Sequence, residues 1–118
     1  MNNKQLGLEK ESVACRYLIE QGYQILERNW RWSNRGEIDI IAIDPKRFNR
    51  EYLIFVEVKY RNYSMEMSLG AVNHKKIEQI KKLALIYLSR KQIKDQNISF
   101  DFIAICGNEI KHLKNIVS

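Results

Sequence analysis

Two strand-like stretches of this chain each hold a carboxylate inside an apolar run, and one of them adds a lysine two positions on. In Leu53-Ile54-Phe55-Val56-Glu57-Val58-Lys59, alternation puts Phe55, Glu57 and Lys59 on one side of an extended strand and Val56 and Val58 on the other. Upstream, Glu37-Ile38-Asp39-Ile40-Ile41-Ala42-Ile43 embeds Asp39 in the same kind of setting. Charge in such runs is costly to bury unless it is paired or holds a metal ion. One acid from each of two neighbouring strands, with a lysine beside them, suits metal-assisted cleavage of a phosphodiester. Asp39 and Glu57 offer the oxygen ligands that Mg²⁺ or Mn²⁺ takes together with phosphate and water. Such an ion neutralises the scissile phosphate and lowers the pKa of a bound water. Lys59 is placed to orient that water or to stabilise charge developing on phosphorus.

The elements that must position these groups are legible in outline. A helix is expected from about Leu6 to Gln21, with Leu8, Ala14, Cys15 and Leu18 on one face and Gly22 as its stop. Glu11 falls in the middle of that apolar stripe, either completing the carboxylate cluster or bonded to the end of a helix or strand, while Glu9, Lys10 and Glu20 read as solvent-side charges. A first strand follows over Tyr23 to Trp32, then turn chemistry in Ser33-Asn34-Arg35-Gly36, and a second strand over Glu37 to Ile43. Asp44 to Arg50, with the only proline, reads as a polar connection, and a third strand runs from about Glu51 to Tyr60. Arg61 to Gly70 reads as a loop. A second helix over Asn73 to Lys91 turns Ile77, Ile80, Ala84 and Leu88 to one side, and Ile98 to Cys106 forms a fourth strand ending at Gly107-Asn108. The tail from Glu109 to Ser118 shows no decisive pattern. The order of helix, three-strand meander, helix and strand implies an α/β three-layer sandwich, with a central mixed sheet of four to five strands flanked by helices. The fourth strand, returning across a helix, is suited to lie parallel to its neighbour.

Length and composition bound the function. At 118 residues, the expectation is one domain spanning 1–118 with a single core. Twenty basic residues against 14 acidic ones give a formal charge of +6, which favours a polyanionic partner. Cys15 and Cys106 have no metal-ligand spacing and read as small buried thiols of a reducing compartment. The first residues lack the apolar core of a signal peptide, and no apolar run approaches the roughly 20 residues that span a bilayer. A cytoplasmic protein without a membrane partner is expected. His74 and His112 have no partner at ligand spacing and receive no role.

Asp39 followed eighteen positions later by Glu57-x-Lys59 looks like the PD-(D/E)xK signature of restriction-endonuclease-like nucleases. More specifically, the chain resembles the YraN family of bacterial proteins, which is related by fold to Holliday junction resolvases. The resemblance rests on Glu11 with Ala14-Cys15-Arg16-Tyr17-Leu18, on Gly22-Tyr23 and Asn29, and on Gly36-Glu37-Ile38-Asp39-Ile40-Ile41-Ala42. It continues through Phe55-Val56-Glu57-Val58-Lys59-Tyr60-Arg61, Lys76, Ala84, Tyr87-Leu88 and Gly107-Asn108-Glu109-Ile110. An E-x-K alone is weak, whereas Gly-Glu-Ile-Asp followed at this separation by Phe-Val-Glu-Val-Lys-x-Arg is specific. Two positions depart from pattern. Lys10 stands where the family has glycine, and Ile38 replaces the proline of the broader nuclease signature.

The resemblance implies a restriction-endonuclease-like fold and a nuclease site of Glu11, Asp39, Glu57 and Lys59, acting on branched or single-stranded DNA, with association of two copies. Arg35, Arg61 and Lys76 are candidate phosphate contacts, the guanidinium being suited to bidentate clamping. Glu37 either joins the site or caps the turn before its strand. A nucleic-acid-binding module without catalysis and a basic protein-interaction adaptor are the other readings of the same charge.

Overall fold

The computed structural model describes residues 2–61, 64–65 and 73–116. Helix α1 spans Asn3–Glu20, starting earlier than the apolar pattern suggests because Asn2 and Gln5 form a capping box. The Asn2 side chain accepts from the Gln5 amide at 2.8 Å, and the Gln5 side chain accepts from the Asn2 amide at 3.0 Å. Gly22, with φ of 94°, ends the helix and turns the chain into β1, Gln24–Arg31.

Strand β2 runs over Glu37–Arg47 and β3 over Arg50–Tyr60. The polar connection expected from Asp44 to Arg50 is therefore a correction: both strands continue through it and meet in a two-residue turn at Phe48 and Asn49. Both turn residues have positive φ, 52° and 63°, the backbone that matches the twist of a tight hairpin. Pro45 is tolerated because the ladder shifts register between Asp44 and Arg47, so no paired amide is lost there. Helix α2 covers His74–Arg90 and is capped by Asn73, whose side chain accepts from the Lys76 amide. Strand β4, Asn97–Cys106, and a fifth strand β5, Glu109–Leu113, complete the chain. The expected loop from Arg61 lies largely outside the described residues.

The five strands lie in the order β1-β2-β3-β4-β5, antiparallel except that β3 and β4 are parallel. The chain crosses over through α2 between them, a connection suited, as the sequence order suggested, to a parallel pair. Among the described residues, α1 packs on one face of the sheet and α2 on the other, giving three layers. Against α1, Ala14, Cys15 and Leu18 pack on Ile40, Ala42, Ile54, Val56, Ile103 and Ile105. Against α2, Ile80, Leu83, Ala84 and Tyr87 pack on Ile38, Ile41, Leu53 and Phe55, with Trp30 and Trp32 alongside. The tryptophans thus serve the core. Cys15 is buried and Cys106 only half-buried. Among the described residues no helix is long and apolar enough to cross a membrane.

At the hairpin end of the sheet, Arg47 is buried among acids. It donates to Asp44 at 3.0 Å, to both oxygens of Asp101 at 2.9 and 2.7 Å, to Ser99 and to the Tyr23 hydroxyl. His112 joins this network, with Nε2 2.6 Å from Asp101 and Nδ1 3.0 Å from the Tyr17 hydroxyl of α1. The guanidinium and the hydrogen bonds hold the Asp101 carboxyl well below the usual range despite its burial. An ionised Asp101 only accepts, so His112 carries its proton on Nε2. The network ties α1, β2, β4 and β5 together.

Candidate active site

At the opposite end of β2 and β3 the regular ladder stops. Pairing reaches Ile40 opposite Val56, and beyond it the Val58 amide donates at 2.8 Å to the Asp39 carboxylate. The side chain has taken the place of a backbone acceptor, and the two strands part around it. Alternation fails at the same point. Ile40 and Ala42 pack against α1, and strict alternation would put Ile38 with them, yet Ile38 packs under α2. Glu37 and Asp39 accordingly both reach the α1 side, where they meet Glu11. Carboxylate oxygens of Glu11, Glu37 and Asp39 lie within 4.8 Å of one another.

Glu57 approaches from the α2 side, in phase with Phe55. Its carboxylate is met by Lys59 Nζ at 3.4 Å and by Lys76 Nζ of α2 at 3.6 Å. Through the gap between the strands, Glu57, Asp39, Glu37 and Glu11 line one cleft of about 430 Å³, together with Lys59, Arg61, Lys76 and Lys10. The sequence-derived set of Glu11, Asp39, Glu57 and Lys59 is therefore brought together, and Glu37 joins it. Its position at the strand start is not that of a turn cap, since its side chain accepts from Arg31 at 2.9 Å.

Burial and mutual repulsion dominate the electrostatics. Asp39 is 7% exposed and Glu57 3% exposed. Burial first, then the Glu57 charge, pushes the Asp39 carboxyl up to about 7, against the opposing pull of the Val58 amide and Lys59. Glu11 is likewise pushed up to about 7 by burial and by Asp39, with Asn29 hydrogen bonding to it in the other direction. Glu57 is raised by burial, though Lys76 and Lys59 oppose the shift. Glu11 Oε1 and Glu57 Oε2 are buried with no hydrogen-bond partner among the described residues. Orphaned buried carboxylate oxygens are costly unless a proton, a water or a cation satisfies them.

The candidate phosphate contacts divide. Lys76 and Arg61 line the cleft, with the Arg61 side chain donating to the Tyr60 carbonyl at 2.8 Å. Arg35 does not reach it: this residue is exposed on the turn before β2, and its carbonyl accepts from Gln79 Nε2 at 3.0 Å. Sequence reasoning missed one cleft residue and two beside the cleft. Lys10 is half-buried, with its ammonium 4.6 Å from the centre of the Tyr60 ring, rather than solvent-side. Arg31 and Asn29 line an adjoining hollow with Glu11 and Glu37. For Asn29 a signal existed, an asparagine among β-formers, the non-glycine residue that most readily takes left-handed backbone. For Lys10 and Arg31 no such signal exists.

Comparison with known proteins agrees with the motifs. A model of "uncharacterised protein family UPF0102" matches residues 10–105. A UPF0102 protein of Fusobacterium nucleatum is 41% identical over 118 residues, 99% of this chain and 94% of the relative. One from Persephonella marina is 41% identical over 114 residues, 92% of this chain and 90% of the relative. Another, from Thermodesulfovibrio yellowstonii, is 40% identical over 115 residues, with 94% of each chain covered. With the family model matched over residues 10–105 and relatives about 40% identical over nearly their whole length, the chain belongs to the UPF0102 family, the YraN family of its sequence motifs.

Proposed function

We propose that this protein is a metal-dependent nuclease of the restriction-endonuclease-like type, hydrolysing phosphodiester bonds in DNA, with branched or single-stranded forms as its substrates. The observation that carries the reading is the convergence of Asp39, Glu57 and Lys59 in one cleft, with buried carboxylate oxygens left unpartnered. Asp39 and Glu57 would hold Mg²⁺ or Mn²⁺, and Glu11 and Glu37 lie close enough to Asp39 to share in that role. When bound, such an ion supplies charge neutralisation at the phosphate and acidifies a water.

The chain's own groups do the rest. The Val58 amide fixes the Asp39 carboxylate through one oxygen. Lys59, half-exposed beside Glu57, can turn from that carboxylate toward a phosphate oxygen or the attacking water. Lys76, Lys10 and Arg61 give the rim a positive border. One side of the first half of α1, through Asn3, Leu6, Gly7, Lys10 and Glu11, runs along the cleft, and α2 contributes Lys76 from its first turn. Neither first turn contains an acid that would offset the positive end of the helix dipole. The cationic rim favours a phosphate backbone crossing the cleft.

A second reading is a binding module of the same fold without turnover. It is favoured by one observation, that two lysines already neutralise Glu57 without any ion. Mn²⁺ titration by calorimetry, paired with cleavage of labelled DNA, separates the two. The nuclease reading expects one or more bound ions in the wild type, loss of binding in Asp39→Ala, and cleavage that follows the ion. Undiminished ion binding in Asp39→Ala would overturn it. DNA retention that is sensitive to salt yet indifferent to divalent ions would favour the binding module.

A further inference from the structure

Strand β1 carries an irregularity that mirrors the one in β2. Asn29 has φ of 53°, a left-handed backbone in the interior of an extended strand. The flanking pairs are Arg28 with Ile40 and Trp30 with Ile38, so Asn29 stands opposite Asp39. Its effect on direction is readable from the neighbours. Arg28 reaches α1, donating to the Ser12 hydroxyl at 3.0 Å, so an alternating strand would send Trp30 the same way. Trp30 instead packs under α2, 5.2 Å from the Tyr87 ring. The left-handed residue has therefore reversed the alternation, and Asn29 follows Arg28 onto the α1 side. There it lines a hollow with Glu11 and Glu37.

The two reversals are matched across the ladder. Arg28 and Ile40 share the α1 side, Trp30 and Ile38 share the α2 side, and the switch falls on the Asn29–Asp39 pair between them. Without the reversal in β1, a β2 that turns Asp39 and Glu37 toward Glu11 would pair with the wrong face of its neighbour. Backbone held in a sparsely populated region persists only where the surroundings over-determine it, and such residues cluster at functional sites. Asparagine suits the position twice over. It accepts the left-handed conformation more readily than other side chains, and it brings an amide donor into the hollow that Glu11 also lines.

We infer that Asn29 is a positioning residue of the site: its left-handed backbone sets the face on which Glu37 and Asp39 emerge, and its amide orients Glu11 toward them. The inference rests on the proposed metal-dependent reading for its consequence, because an oriented Glu11 matters when an ion is bound. The geometric claim stands in the metal-free protein. Groups that orient ligands without touching the ion typically contribute roughly 10- to 100-fold in affinity.

The test uses wild type, Asn29→Gly, Glu11→Gln and the double variant. Glycine keeps the positive φ available and removes only the amide, so the fold is retained. Urea unfolding of the four metal-free proteins forms a double-mutant cycle. The expected result is a non-additivity of about threefold or more in the unfolding constant, since contacting residues couple and distant ones do not. Mn²⁺ titration is expected to show binding weakened about tenfold in Asn29→Gly, with little further loss on adding Asn29→Gly to Glu11→Gln. A residue with only a structural part would lower stability additively and leave Mn²⁺ affinity unchanged, which overturns the inference. If wild type takes up no Mn²⁺, the metal-dependent reading fails, and the unfolding cycle alone decides whether Asn29 orients Glu11.

Discussion

At the scale of single residues, the site is a place where stability has been given up. Asp39 is deeply buried, repelled by Glu57 and compensated by one amide and nearby lysine charge, so its folded pKa rises from the ordinary 3.8 to about 7. Glu11 rises from 4.5 to about 7. The folded state therefore binds these protons more tightly than the unfolded chain. Without divalent ions, their contribution is most favourable below about pH 4 and is lost as pH rises through 7. Asp101 has the opposite sign, and its contribution weakens only as pH falls below the ordinary carboxylate value. Urea midpoints measured from pH 4.5 to 8 without metal should fall across that range. In Asp39→Asn the fall should shrink, because the amide keeps an acceptor for Val58 without the charge, and the variant should exceed wild type in stability at pH 8. Equal pH profiles would contradict the electrostatic account. The sequence exposed Asp39, Glu57 and Lys59 because charge interrupts apolar runs there. Lys10 stayed hidden, since a lysine lying over a tyrosine ring depends on a neighbour brought to it only by folding, whereas Asn29 left a trace as an asparagine among β-formers.

At the scale of elements, the turn before β2 and the network at the far end hold the sheet in register. Gly36 has φ of 115°, and a Cβ there would clash with Gln79 Nε2, the same group that donates to the Arg35 carbonyl. Gly36→Ala should cost about 1–3 kcal/mol of stability, read from urea unfolding, by straining the backbone and displacing that contact. Arg47→Ala should cost about 3–5 kcal/mol in the same measurement, because it leaves Asp101 and Asp44 buried without their cation. The helices, the meander and the parallel return were legible from periodicity and order. The extension of β2 through Pro45 was not, since it depends on a bulge and on Arg47 finding acids from β4. The fifth strand was equally hidden, because Glu109 to Leu113 is half-exposed and extends only by pairing with β4.

At the scale of the whole molecule, the acidic cleft sits in a chain of net charge +6 and is bordered by Lys10, Lys59, Arg61 and Lys76. Binding to DNA should weaken steeply with NaCl, with a linear slope of log affinity against log salt set by the phosphates contacted. Fluorescence anisotropy between 50 and 300 mM salt checks this, and a flat response would remove the polyanion argument. The most direct test of the central claim is cleavage of labelled single-stranded, duplex, flap and four-way-junction DNA in Mg²⁺ or Mn²⁺, with wild type and Lys59→Ala purified identically. The account predicts metal-dependent cleavage of branched or single-stranded DNA by wild type and a loss of about 10²–10³-fold in Lys59→Ala, the scale of removing one donor to transition-state charge. Equal cleavage by both proteins, or none by wild type on any of the four substrates with either ion, would contradict it.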